Sequence, residues 1–246
     1  MREKGSYWPS AIKDYQTCPR LYQDKHIKGI VPYESGLDAE FGTALHMGIE
    51  HMLKGEDGKM YFDTYWQSVK DKPLKKFKFD WRCLEFNGHV FLKKFADRYL
   101  PDIKPVFQEE RIFATMNGRK LEGTPDVMGE YKGIPSVMDF KTSSVRYSDD
   151  MIECEEQMSF YAKLAIANGI YAPQQKVFFN FVKDFKEPSI RTPLIKQLTS
   201  EDLSATLDNV MSVIDQIESG KFHKNTQSCV RGPIKCSNFQ NCWGKT

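Results

Sequence analysis

Two short stretches decide the reading, Glu122-Gly123-Thr124-Pro125-Asp126 and Val137-Met138-Asp139-Phe140-Lys141-Thr142. Side chains alternate across a strand, so the second stretch puts Asp139 and Lys141 on one face and sends Met138 and Phe140 to the other. Asp126 ends the first stretch, one hairpin turn earlier, where antiparallel pairing brings it beside Asp139. Two carboxylates near one lysine make a site for Mg²⁺ or Mn²⁺, hard ions that take oxygen ligands and bind phosphate oxygens directly. The chemistry such a site supports is phosphodiester hydrolysis, with Lys141 orienting or helping to deprotonate the attacking water. A lone Asp-x-Lys is ordinarily a surface ion pair, so the surrounding text has to carry the argument further.

Outward from these stretches, residues 106–116 end at Asn117-Gly118 and residues 119–131 end at Lys132-Gly133. With residues 134–142 following, the pattern predicts a three-strand meander. A helix over 149–168 comes next, with Cys154, Gln157, Met158, Tyr161, Leu164 and Ala165 along one face. Gln157 is a polar residue in an apolar stripe, one turn before Tyr161. Its amide suits a nucleotide backbone or a water at the sheet edge, or else a neighbouring backbone group inside the core. A strand over 176–183 follows. Thr199 or Ser200 then caps a long helix faced by Leu203, Leu207, Val210, Ile214 and Ile217 and ended by Gly220. The first hundred residues read as mainly helical. A short helix capped by Ser10 stops near Pro19, a helix over 39–53 carries His46 at the edge of its apolar stripe, and two or three more fill 60–100, broken near Pro73 and ended by Pro101. The whole predicts one α/β domain over 1–246: a central mixed sheet flanked by helices, with a helical N-terminal half.

Of the six cysteines, Cys229, Cys236 and Cys242 fall close together in the tail and can converge on one ion or cluster, with Cys18 as the fourth candidate. Four thiolates suit a [4Fe-4S] cluster or structural Zn²⁺ alike. Cys83 and Cys154 lie in helical text and read as buried thiols. Lys75, Lys76 and Lys78 interleave with Phe77, Phe79 and Trp81. That combination holds single strands by pairing phosphates with charge and bases with rings, and it also describes lysines covering an aromatic core. Arg20 and Lys28 are weaker candidates for the same role.

Composition narrows the partners little. The 246 residues are 40% hydrophobic and 28% charged with a formal net charge of +2, which describes a soluble globule whose basic surface is local. No stretch approaches the roughly 20 apolar residues of a membrane span, and the opening MREKGSYWPS lacks the apolar run of a secretory signal. A cytoplasmic location is expected.

Taken together, Gly42-Thr43-Ala44-Leu45-His46, Glu122-Gly123-Thr124-Pro125-Asp126, Asp139-Phe140-Lys141-Thr142 and the Gln157/Tyr161 pair resemble, in order and interval, the RecB-like branch of the PD-(D/E)XK nucleases. The resemblance implies a restriction-endonuclease-like sheet, with His46, Asp126, Asp139 and the Phe140 carbonyl holding Mg²⁺ or Mn²⁺ and Lys141 catalytic. One further acid precedes the hairpin, and Glu109 and Glu110 both qualify. Cys18-Pro19-Arg20 with three C-terminal cysteines resembles the iron-sulfur members, which favours a [4Fe-4S] staple over Zn²⁺. The long Cys229 to Cys236 gap resembles phage-type single-domain exonucleases. The implied activity is metal-dependent exonuclease action on single-stranded DNA ends, along a path over 56–105, in recombination, repair, replication or CRISPR adaptation. The alternatives are a structure-specific endonuclease and a DNA-binding accessory protein of repair or recombination.

Overall fold

Pro125 explains the first departure from the expected meander, because proline cannot donate to a ladder and is tolerated only at a strand's margin. In the computed structural model, which describes residues 5–30, 36–72, 74, 78–153, 155–231, 234–236 and 238–244, the chain changes sheets at this proline. The elements before it are strand β1 (Ser6–Tyr7), helices α1 (Pro9–Thr17), α2 (Pro19–Tyr22), α3 (Leu37–Leu53), α4 (Gly58–Ser68) and α5 (Trp81–Arg98), and strands β2 (Ile103–Gln108), β3 (Ile112–Met116) and β4 (Arg119–Gly123). After it come β5 (Val127–Tyr131), β6 (Ile134–Ser143), α6 (Asp149–Glu153), α7 (Gln157–Ala167), β7 (Gln175–Val182), β8 (Ser189–Ile190), β9 (Leu194–Gln197) and α8 (Ser200–Glu218). The tail adds β10 (Val230–Arg231), β11 (Ile234–Lys235) and α9 (Phe239–Trp243).

The three expected strands are therefore five segments in two sheets. β3 and β4 form a hairpin that β1 joins, while β2, β5, β6, β7 and β8 run in that order through a six-stranded sheet with β9 also on β7. Both expected turns are present, with left-handed backbone at Asn117 and Gly118 and at Lys132 and Gly133, the conformation that matches the twist of a two-residue hairpin. β6 and β7 are parallel, joined across α6 and α7 as parallel strands require. The expected helix over 149–168 is two helices: Glu155 accepts hydrogen bonds from the Gln157 and Met158 amides at 2.8 and 3.0 Å, which starts α7 afresh. Cys154 lies outside the described residues.

Because the main sheet is covered on both faces, its strands carry apolar residues on both sides. Met128, Val137 and Phe178 face one core with α1, α7 and α8, whereas Val127, Met138, Phe140, Val177, Phe179 and Phe181 face the other with α3, α4 and α5. After α8 the tail returns to the first helices. The Tyr15 hydroxyl donates to the Lys221 carbonyl at 2.6 Å, and the Asn225 amide donates to the Thr17 carbonyl at 2.9 Å. Buried Asp24 accepts from Asn238 at 2.8 Å and pairs with Arg20 and Lys28 at 2.9 and 3.2 Å. Burial works against its charge, but these partners hold its carboxyl below the usual range.

Gly123 fixes the spacing between β4 and α7, since a Cβ there would lie 2.4 Å from the Tyr161 ring. Gly123→Ala is expected to displace that ring and cost about 1–3 kcal/mol, as overpacking does. Scanning calorimetry should register a fall in Tm of several degrees, and an unchanged Tm would show that the ring yields without cost.

Candidate active site

The site is built where β5 begins and β6 runs past it. Val127 pairs with Met138, so Asp126 stands one step earlier, opposite Asp139, as the hairpin reading expects. The Asp126 carboxylate accepts the Phe140 amide at 2.7 Å. Asp139 is almost fully buried, and its Oδ1 accepts from Lys141 Nζ at 2.7 Å. Its Oδ2 is buried with no hydrogen-bond partner among the described residues, a costly state for a carboxylate oxygen. Burial raises the Asp139 pKa, Asp126 adds to the effect, and Lys141 opposes it. Burial also works against the Lys141 ammonium, but Asp139 and Asp126 outweigh it and hold the charge.

His46 reaches the same end of the sheet from α3. Gly42, one turn earlier on that helix, leaves the face open, since a Cβ there would only touch the Thr142 hydroxyl at 3.8 Å. The His46 Nε2 donates to the Phe140 carbonyl at 2.7 Å, and its Nδ1 lies 3.5 Å from Glu109 and 3.6 Å from Asp126. Burial depresses the imidazolium, but Asp126, Glu109 and the Phe140 carbonyl push its pKa up to about 9. Of the two acids left open by sequence, Glu109 is the one that converges: ligand atoms of His46, Glu109 and Asp126 all lie within 4.8 Å of one another. Glu109 sits at φ 50° between β2 and β3 and donates its amide to the Asp126 carbonyl at 3.2 Å. A non-glycine residue in that region is uncommon and strained. One imidazole nitrogen and carboxylates from Glu109 and Asp126 form a donor set suited to a hard divalent ion, and Asp139 stands near enough to feel the charges of Asp126 and His46.

Gln157 and Tyr161 line up on α7 as their spacing predicts, with the Gln157 amide donating to the Tyr161 hydroxyl at 2.7 Å. Burial keeps that phenol far above its ordinary pKa. Two further residues that sequence did not single out support the pair. Burial, followed by the nearby Asp139, raises the pKa of Glu155, which starts α7. Lys176, on β7, donates to the Glu155 carbonyl at 3.0 Å from a buried position. Beside His46 and Glu109, an open cleft of about 420 Å³ runs along α3 past Thr43, Gly42 and Ala39.

The cysteines converge separately. Cys18, in extended backbone between α1 and α2, lines one small enclosure with Cys229, Cys236 and Cys242. None of the four is joined in a disulfide. The Asn225 amide donates to the Cys18 sulfur and the Asn238 side chain to the Cys242 sulfur, both at 3.3 Å.

Of the residues expected to bind nucleic acid, Lys75 and Lys76 lie outside the described residues. Lys78 is 5.0 Å from the centre of the Phe79 ring. Trp81 stacks on fully buried Trp66 at 4.0 Å, so its ring faces the helical core. Arg20 and Lys28 are engaged with Asp24.

The sequence profile of the PD-(D/E)XK nuclease superfamily matches residues 8–238. No curated protein matches the chain. Among solved structures, a Eubacterium rectale protein assigned as an exonuclease by inference superposes with a TM-score of 0.62 at 14% identity, over 99% of this chain and 94% of its own. Two others are more distant and carry no weight: SSO0001 (TM-score 0.40, 10% identity, 87% of this chain and 78% of its own) and LHK-Exo in complex with dAMP (0.37, 12%, 72% and 87%). The Eubacterium rectale structure agrees with the mixed sheet between helical layers, the restriction-endonuclease-like arrangement. With the profile matched from the first strand's neighbourhood to the tail, this chain belongs to the PD-(D/E)XK nuclease superfamily.

Proposed function

We propose that the chain is a Mg²⁺- or Mn²⁺-dependent deoxyribonuclease that degrades single-stranded DNA from its ends. The observation that carries the reading is the meeting of His46, Glu109, Asp126, Asp139 and Lys141 at one end of the sheet, with a buried carboxylate oxygen left without a partner. His46, Glu109, Asp126, Asp139 and the Phe140 carbonyl would hold the ion. When bound, such an ion polarises a phosphate oxygen, activates water and offsets charge on the leaving oxygen. Lys141 orients the attacking water and stabilises the charge that builds on the phosphate. Gln157, braced by Tyr161, holds the strand's backbone beside them. No helix among the described residues is long and apolar enough to cross a membrane. DNA as substrate, a cytoplasmic setting, and service beside recombination, replication or CRISPR-adaptation proteins follow from the resemblance.

The four cysteines are read as ligands of a [4Fe-4S] cluster that staples the two ends of the chain, where Cys18 and Asn225 stand 207 positions apart and in contact. Support comes from their shared enclosure and from the loss of closure entropy that such a bond imposes on the unfolded chain. Anaerobic purification should give a brown protein with iron and sulfide in equal amounts, and a colourless protein with one zinc would replace the cluster by Zn²⁺.

End-labelled linear and circular single strands, each with Mn²⁺, test the activity. Digestion of linear DNA alone is expected. Cutting of circles would make the chain an endonuclease, and binding without cutting would make it an accessory protein. Lys141→Ala should lower turnover by ~10²-fold or more while leaving DNA binding in place, the scale of a positioned proton-transfer or charge-stabilising group. Titration calorimetry with Mn²⁺ should separate the two acids before the hairpin. Glu109→Ala weakens binding at least the ~10-fold that losing even an outer partner of a metal site costs, and Glu110→Ala leaves it unchanged. Equal effects would return the choice to open.

A further inference from the structure

We infer that Phe185 is a stacking platform for an unpaired base of the substrate strand, a few nucleotides from the cutting site. The inference rests on the nuclease reading and extends it to a residue outside the metal centre. Phe185 follows β7 in the loop to β8 and is 57% exposed.

The ring is held in place rather than loose. Fully buried Asn87, on α5, clamps the Asp184 backbone from both sides, donating to its carbonyl at 2.8 Å and accepting its amide at 2.9 Å. The Asp184 carboxylate accepts the Lys186 and Glu187 amides at 2.8 and 2.9 Å, which closes the loop into a turn. Phe185 leans on buried Phe79 with ring centres 4.8 Å apart, and the Lys78 ammonium lies within 5.9 Å of both rings. A rigid exposed aromatic beside a cation is the pairing that proteins use to grip single strands, the ring taking a base and the charge taking its phosphate.

Position links this platform to the site. The cleft that opens at His46 and Glu109 runs along α3 to Ala39. Next to Ala39, Asp38 pairs with Lys183, and Lys183 lies 5.6 Å above the Phe79 ring that supports Phe185. From His46 to Asp38 is eight helical residues, roughly 12 Å, and the contacts through Lys183 and Phe79 carry the path on to Phe185. Charges around the loop are mixed: the Glu187 and Lys186 amides hold the Asp184 carboxyl below its usual range, with Lys78 and Lys186 close by, Asp80 caps α5 through the Cys83 amide, and Lys186 and Glu187 are both exposed.

The test reads binding with cleavage silenced, using fluorescence anisotropy of a labelled single-stranded thymidine oligonucleotide in the Lys141→Ala background without divalent ion. Adding Phe185→Ala should weaken binding roughly tenfold, within the range that base stacking on an aromatic commands. Phe185→Trp should restore binding, with its emission quenched as the oligonucleotide is added. Alanine at this position uncovers one side of the Phe79 ring, and a melting temperature that matches the parent's shows that the fold absorbs it. Binding within twofold of the parent, or tryptophan emission indifferent to the oligonucleotide, overturns the platform. A chain that binds through Phe185 yet leaves DNA intact with Mn²⁺ sinks the nuclease reading and spares the platform. A chain that digests DNA while Phe185→Ala binds like the parent sinks the platform alone.

Discussion

The backbone of Phe140 is the point on which the site turns. Its amide is taken by Asp126 and its carbonyl by His46, each at 2.7 Å, while its side chain is buried among Phe95, Phe179 and Phe181. One residue thus ties a strand margin, a helix and the aromatic core together. The packing of that core, which has no chemistry of its own, sets where an acid and an imidazole meet. Hydrogen bonds with one charged partner in such surroundings are worth about 1.5–3 kcal/mol each, so the arrangement is held firmly but is not inert to changes in the core.

Around that residue the protein concentrates charge where water is scarce. Asp139 is buried beside a lysine, with a second carboxylate across the strand and a third, Glu155, close enough to raise its own pKa through Asp139. Such crowding is unfavourable for folding and useful for holding a doubly charged ion. Lys176 and Glu155 show how the fold sustains it: a buried ammonium on β7 takes the carbonyls that end the segment before α7, and the Glu155 carboxylate starts that helix, so Gln157 and Tyr161 face the acids from a fixed direction.

Much of this was legible because it is local. Period-two alternation put Asp139 and Lys141 on one face, Asn117-Gly118 and Lys132-Gly133 announced their turns, and helical spacing put Gln157 one turn from Tyr161. What escaped depends on partners far away in sequence. Pro125 falls inside what reads as one continuous strand over 119–131, although its missing donor marks the change of sheet. Glu109 and Glu110 are equivalent in sequence, and only a backbone twist between β2 and β3 turns one of them toward His46. Trp81 reads like a base-stacking ring among lysines until Trp66, fifteen positions earlier, covers it. Glu155 looked like one more acid in a helix because its use as a cap appears only when the helix breaks there.

The pairing of Cys18 with the tail also sets a timetable. A ribosome delivers residue 242 long after residue 18, so the sheet and both helical layers have their full sequence available before the fourth thiol emerges. On the proposed cluster, damage to that early thiol would leave the sheet finished and the tail held by its hydrogen bonds to the first helices.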